Sequence, residues 1–413
     1  MSSATGVATT AEFRLAYAQR KLRAFIRGII ELQSSEFPHS DSRKALEDLA
    51  LYFEARLRQV ERVIATDDAA IDQTLAQVNV SVYRYTPLLG FILRSTNVRN
   101  AFETYFHLKR LVKKILGSSA HLVTSAEWLF IPFTYPMSID ALPDYVLVGA
   151  PAPEAANTLI VPLAGHEIGH SAWRKHNVGN QISQNLVSHI DAALDANPAR
   201  RDNLLQKAFG RHVQRSLIIQ TCYSPAIKQL EEIFCDFVAT FIFGESYLWA
   251  FEYFLVPGSN SRSQEYPSGE ARIRFLIHAA RQLGISADPV LFQRWRNPGV
   301  PSGSEADILS VTDGAVERST PQLWQITTAL LQQVGIAPPS PTVVTRVLRN
   351  FEHVVPDSDG ASIAEVVTAG WQYLSLRKGL PKPNDDATFD LLNELMLKSI
   401  EVTEYRMRVQ PDA

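Results

Sequence analysis

The chain contains 413 residues, of which 46% are hydrophobic and 20% are charged, and its formal net charge is −3. These values are typical of a folded protein of two or three domains and exclude collagen, a long coiled coil and wholesale disorder. Because nucleic-acid binders normally carry an excess of basic residues, we expect no nucleic-acid partner. The two cysteines cannot form a disulfide framework, and residues 1–21 lack the apolar core of a signal peptide. We therefore expect a cytoplasmic protein.

The first part of the chain has a helical pattern. Apolar residues recur every three or four positions from Ala11 to about Ser118, which predicts an N-terminal helical region over residues 1–120. Basic residues such as Arg110 and Lys113 lie between the apolar ones. They either form solvated helix faces or dock an acidic partner, so the flanking helical regions are candidate surfaces for a protein partner.

Two passages interrupt the helical pattern. Residues 121–134 and 145–149 are rich in β-branched and aromatic residues and are bounded by Pro and Asp, so we predict strands there. An extended peptide can bind by adding to the edge strand of a sheet. Residues 128–132 or 145–149 could form such an edge, or either could be an ordinary core strand.

Helical patterns return at Ala155 and continue, with breaks rich in Pro, Gly and Asp, to the end of the chain. The most apolar stretch, residues 237–256, is long enough to span a membrane, but it contains Glu245 and Glu252, and carboxylates near a bilayer centre are costly. We therefore predict a buried helix there and expect no membrane span. The predicted protein is mainly α with a small β component, and its regions are helical over 1–120, α+β over 121–285 and helical over 286–413.

Residues His166 to His170 read H-E-I-G-H. On a helix, two histidines four residues apart lie on one face, so both imidazoles can reach a single zinc ion. Glu167 is then placed to act on a water molecule that the metal activates. The motif also arises by chance in roughly one such chain in 50–100, as neighbouring histidines on a surface helix, so it requires a third ligand.

Two residues compete for the place of the third ligand. His176 has the spacing of the metzincin motif, but Trp173 replaces the glycine that lets the chain turn back toward the metal. Glu232 lies on another predicted helix, where it can supply an anionic ligand unless it sits on an exposed edge. Asp236 shares its face and can accept the N–H of a ligand histidine. We predict Glu232 as the ligand and, because its helical phase differs, Cys235 as a buried structural thiol.

HEIGH followed by EIFCD resembles the gluzincin metallopeptidases. Residues 266–273, YPSGEARI, are similar to the H-P-x-x-x-x-R-I segment of the M48-type peptidases, and the resemblance covers about residues 159–283. It implies a zincin-like α+β core, but the membrane helices of that group are absent, so its substrate class does not transfer. Tyr266 replaces the histidine of the group, and its O–H can still donate to an oxyanion. Arg272 and His278 are the alternative donors, and the segment could also be a simple turn before a helix.

The sequence thus predicts a zinc-dependent peptidase of gluzincin type that acts on a peptide or protein substrate. A site with three protein ligands leaves one coordination position open, as in catalytic zinc sites. Two alternatives are a helical interaction or regulatory protein with a structural or decayed zinc site, and a zinc hydrolase of a non-peptide amide. The predicted roles are Zn²⁺ binding for His166, His170 and Glu232, general base for Glu167, oxyanion donor for Tyr266 and support of a ligand histidine for Asp236.

Overall fold

A computed structural model gives the fold, and the chain is mainly α with a small β component, as predicted. The structure describes residues 10–63, 68–96, 102–127, 133–134, 139–196, 202, 204, 215–255, 263–285, 304–376 and 386–409. The long helices in this part of the chain are α1 Thr10–Leu32, α2 Ser40–Glu61, α3 Asp68–Arg94, α4 Phe102–Leu116, α5 Leu163–Lys175, α6 Val178–Ala196, α7 Arg215–Phe243, α8 Glu245–Leu255, α9 Gly269–Gln282, α10 Ser304–Gln333, α11 Pro341–Glu352, α12 Ile363–Leu376 and α13 Asp386–Val409.

The chain divides into two compact units, and the first contains residues 1–100 and 120–155. Its core is formed by the apolar faces of α1, α2 and α3 together with buried residues of a small sheet. The sheet has three strands: β1 His121–Glu127, β2 Phe133–Thr134 and β3 Tyr145–Pro151.

Strand β3 lies in the middle of this sheet. It pairs in parallel with β1, with His121 opposite Tyr145, and antiparallel with β2 at Val148 and Gly149. Of the two alternatives for residues 145–149, an edge strand or a core strand, the structure supports the core strand, because β3 has a paired strand on each side. The other candidate edge, residues 128–132, lies outside the described residues.

The second unit contains residues 101–119 and 156–413 and is built around α7. Nearly every side chain in the second half of α7 is buried. Helices α5, α6, α9 and α10 pack against it. The indole of Trp324 on α10, for example, contacts the rings of Phe237 and Phe241 at centroid distances of 5.1 and 6.4 Å.

This division differs from the three regions that the sequence predicted. The described helices after residue 303 belong to the second unit, in which Trp371 Nε1 on α12 donates to Leu159 O at 2.9 Å and Thr368 Oγ1 donates to Phe243 O at 3.2 Å. Residues 121–285, predicted as one α+β region, fall in both units. The strands of this region pack against α2 and α3 in the first unit, whereas its helices belong to the second.

The described part of the apolar stretch, residues 237–255, forms two helices rather than one. Helix α7 ends at Phe243, and Gly244 has a φ of +59°, a left-handed conformation that terminates a helix and favours glycine. Helix α8 then begins at Glu245, whose carboxylate accepts hydrogen bonds from Trp249 Nε1 and Gln372 Nε2. Within the described part of the chain, no helix combines the length and the apolar character that crossing a membrane requires.

Candidate metal centre

Helices α5 and α7 approach closely because two glycines of α5 face α7. A Cβ atom at Gly169 would lie only 2.7 Å from Cys235 Cα, and one at Gly165 would lie 3.1 Å from Ala239 Cα. Since the earlier glycine faces the later residue of α7, the two helices run antiparallel. The Gly-x-x-x-Gly spacing overlaps the H-E-I-G-H motif, so it brings both histidines within reach of the polar side chains of α7.

The imidazoles of His166 and His170 converge on the carboxylate of Glu232. His166 Nε2 lies 3.4 Å from Glu232 Oε2, and His170 Nε2 lies 3.7 Å from Glu232 Oε1. The two ring centroids are 5.1 Å apart. All three side chains are between 10 and 13% exposed, so the site is nearly enclosed but not sealed from solvent. The structure therefore brings together the three residues that the sequence predicted as metal ligands.

The other ring nitrogen of each histidine is held by a separate carboxylate. His166 Nδ1 lies 2.9 Å from Asp236 Oδ1, and His170 Nδ1 lies 3.0 Å from Glu231 Oε1. In each pair Nδ1–H donates to the carboxylate, so Nε2 is the ring nitrogen that faces Glu232 and is free of the supporting carboxylate. The contact of Asp236 agrees with the prediction from the sequence. That of Glu231 was missed, because one of two adjacent glutamates in an amphipathic helix is normally solvated.

Asp236 is the most heavily hydrogen-bonded residue of this cluster. Arg272 donates from Nε and Nη2 to its two oxygens at 2.9 and 2.7 Å, and Tyr247 Oη donates to Oδ1 at 2.7 Å. Burial alone would raise the pKa of Asp236, but the charge of Arg272 and the hydrogen bonds from His166 and Arg272 hold it well below its ordinary value. Arg272 therefore supports Asp236, and the alternative role of oxyanion donor does not fit its contacts.

The electrostatics of the cluster favour a bound cation. Burial disfavours protonation of His166, but the hydrogen bonds and charges of Asp236 and Glu232 outweigh it and raise the pKa of His166 from 6.5 to about 10. Burial likewise disfavours ionised Glu232, yet the hydrogen bond and charge of His166 lower its pKa. Two imidazole nitrogens and one carboxylate oxygen are a donor set that suits zinc. The residues present thus fit the ion that the sequence implied.

Cys235 lies closer to the histidines than its helical phase indicated. Its Sγ and one ring nitrogen from each of His166 and His170 lie within 4.8 Å of one another, which makes it a possible alternative donor. However, burial raises the pKa of this thiol well above its ordinary value, and the charges of Glu232 and Glu231 raise it further. Because Glu232 already carries the negative charge that a ligand needs, we favour Glu232 as the third donor.

The remaining predicted residues lie around this cluster. Glu167 is buried on α5, with 5% of its surface exposed, and Tyr266 is 51% exposed in the segment before α9. Partial burial raises the pKa of the Tyr266 phenol, as do the nearby charges of Glu232 and Glu167. The segment that carries Tyr266 is indeed the turn before a helix, because the Ser268 hydroxyl caps α9 by accepting from Ala271 N. Tyr266 therefore lies both in a turn before a helix and near the charges of Glu232 and Glu167.

Two other histidines do not join the cluster. His176 is the C-cap residue that directly follows α5, and its Nε2 donates to Ile115 O at 2.8 Å. His278 is exposed on α9. Of the two candidates that the sequence offered for the third ligand, Glu232 lies opposite both Nε2 atoms, whereas His176 lies away from them.

Comparisons of the chain with protein-family models, with curated proteins and with solved structures found no match. The resemblance to gluzincins therefore rests on the sequence motifs alone.

Proposed function

We propose that the protein is a zinc-dependent peptidase in which His166, His170 and Glu232 bind the metal. One observation carries the proposal: both Nε2 atoms face the carboxylate of Glu232, while both Nδ1 atoms are occupied by other carboxylates. A pair of histidines that were merely neighbours on a surface helix would need neither the shared carboxylate nor the two supporting ones.

The charge balance of the cluster supports a divalent ion. Four carboxylates surround the histidines, and two guanidinium groups lie among them, which leaves an excess of negative charge in a nearly enclosed space. Such an excess is costly unless a cation compensates for it. The carboxylates are those of Glu167, Glu231, Glu232 and Asp236, and the guanidiniums are those of Arg174 and Arg272.

The residues of the chain then divide the work of amide hydrolysis. Zinc held at this site supplies a Lewis acid that polarises the scissile carbonyl and lowers the pKa of water. Glu167 accepts a proton from the attacking water and returns it to the leaving amine. Tyr266 donates its O–H to the oxyanion that develops on the carbonyl oxygen. Asp236 keeps the imidazole of His166 in the tautomer that presents Nε2.

The test separates metal binding from chemistry. Wild type and Glu167→Gln are purified without added metal, their zinc content is measured, and both are incubated with a fluorogenic peptide library. We expect about one zinc per chain in both proteins and loss of cleavage by several orders of magnitude in Glu167→Gln, because the amide lacks the basic lone pairs. Glu352→Gln on α11, which alters an exposed glutamate, is the matched control and should cleave like wild type. Equal cleavage by Glu167→Gln and wild type would contradict the proposal.

A second function is favoured by the position of Cys235. If its thiolate joined His166, His170 and Glu232, the metal would have four protein ligands, which is typical of structural rather than catalytic zinc sites. The chain would then be a helical interaction protein whose metal stabilises the contact of α5 with α7.

Cobalt substitution distinguishes the two functions, because a cobalt–thiolate bond produces an intense charge-transfer band in the near ultraviolet. The peptidase model expects no such band and unchanged metal affinity in Cys235→Ser. The structural model expects the band in wild type and its loss in Cys235→Ser, together with weaker binding.

A further inference from the structure

Glu231 occupies a place that the proposed ligand set does not require. It precedes Glu232 directly, so on α7 its side chain points about 100° away from that of the ligand. Even so, it reaches the same histidine from the other side, since its Oε1 lies 3.0 Å from His170 Nδ1. Adjacent glutamates of one helix thus contact opposite edges of one imidazole.

The two histidines are supported unequally. The carboxylate that holds His166 is fully buried and fixed by Arg272 and Tyr247. The carboxylate that holds His170 belongs to a side chain that is 26% exposed. The charge of Arg174, one turn after His170 on the same face of α5, acts on Glu231. His170 is therefore the imidazole whose orientation depends on one accessible hydrogen bond.

We propose that Glu231 is a positioning residue that fixes the ring and tautomer of His170 for metal binding. The inference rests on the proposed function, because it presumes that His170 is a ligand. Without the carboxylate, the imidazole can rotate about its side-chain bonds or carry its proton on Nε2, and in either state it does not present a lone pair to the metal. Residues that support a ligand histidine in this way typically contribute 10–100-fold to metal affinity.

The experiment measures zinc affinity by competition with a chromogenic chelator and needs no substrate. Wild type, Glu231→Gln and Glu231→Ala are compared, and unchanged circular dichroism confirms that each is folded. Alanine is the best helix former, so it should be tolerated in α7. The matched control is Glu265→Ala, which removes an exposed carboxylate. Glu265 pairs with Lys228, and Lys228 lies one turn before Glu232 on α7.

We expect zinc affinity to fall about 10–100-fold in Glu231→Ala. Glu231→Gln, which keeps an acceptor oxygen, should lose less, and Glu265→Ala should match wild type. This partial rescue by glutamine distinguishes positioning from a loss of negative charge, since glutamine and alanine remove the same charge. Zinc binding by Glu231→Ala within twofold of wild type would overturn this inference alone. Absence of zinc binding by wild type would overturn the proposed function and this inference with it.

Discussion

The close contact between α5 and α7 can be tested by adding one methyl group. In Gly169→Ala, the new Cβ would lie 2.7 Å from Cys235 Cα and 3.0 Å from its Cβ and Sγ. The nearest obstacle is backbone, which cannot rotate away, so the helices must separate by several tenths of an ångström. Such overpacking lowers the free energy of unfolding by about 1–3 kcal/mol. The better helix propensity of alanine raises it by about 1 kcal/mol. We expect a net loss of about 0–2 kcal/mol in the free energy of unfolding.

A second glycine provides the control. Gly314 lies in α10 of the same unit, and its nearest obstacle is the flexible end of Arg318 at 3.8 Å. Gly314→Ala should therefore gain up to about 1 kcal/mol from helix propensity alone. Urea unfolding in the presence of a chelator measures both variants without a contribution from bound metal. If Gly169→Ala proves as stable as Gly314→Ala, the two helices are not in close contact at this glycine and the reasoning fails.

Three further predictions follow from the contacts described above. Glu232→Ala should lose zinc, whereas His176→Ala should retain it; the reverse result in elemental analysis would exchange their assignments. Asp236→Asn breaks a buried ion pair with Arg272 and should lower the free energy of unfolding by about 3–5 kcal/mol, which a loss below 1 kcal/mol in urea titrations would contradict. Burial, and then the charge of a neighbouring arginine, lower the pKa of His107 from 6.5 to about 4. The unfolded chain therefore takes up this proton at a higher pH than the folded chain, and stability should fall by roughly 3 kcal/mol as the pH drops from 6.5 to 4. His107→Gln should lack this part of the pH dependence, and an unchanged profile would show that His107 does not cause it.

The sequence was sufficient to predict that His166, His170 and Glu232 converge, but not to predict every group that holds the two histidines. The spacing of His166 and His170 and the i, i+4 pair of Glu232 and Asp236 each define one helix face, and local geometry decides such faces. The contact of Glu231 depends on how two antiparallel helices, far apart in the chain, are placed along one another. One sequence signal did indicate the close packing of these two helices, namely the two glycines four residues apart in α5.

The predicted domain boundaries show what local patterns cannot reveal. The helical and strand-forming segments were found, since periodicity identifies them without reference to the rest of the chain. Their grouping into compact units differs from the predicted regions, because it depends on long-range contacts such as those of Trp324 with Phe237 and of α12 with the end of α7. The prediction of one helix over 237–256 was wrong for a simpler reason. Gly244 adopts a left-handed conformation that ends the first helix at Phe243.

The hydrogen bonds that α12 donates limit how far the chain can be shortened. Trp371 and Thr368 satisfy the carbonyls of Leu159, just before α5, and of Phe243, the last residue of α7. A protein that ended at the break near residue 340 would lack both donors and would expose the apolar surface that α12 covers. The carbonyl of Leu159 would lose the hydrogen bond from Trp371, whereas that of Phe243 would still accept from Ser246 Oγ at 2.7 Å. The packing of α5 and α7 therefore depends in part on α12, and a shortened protein that keeps these contacts must extend through α12.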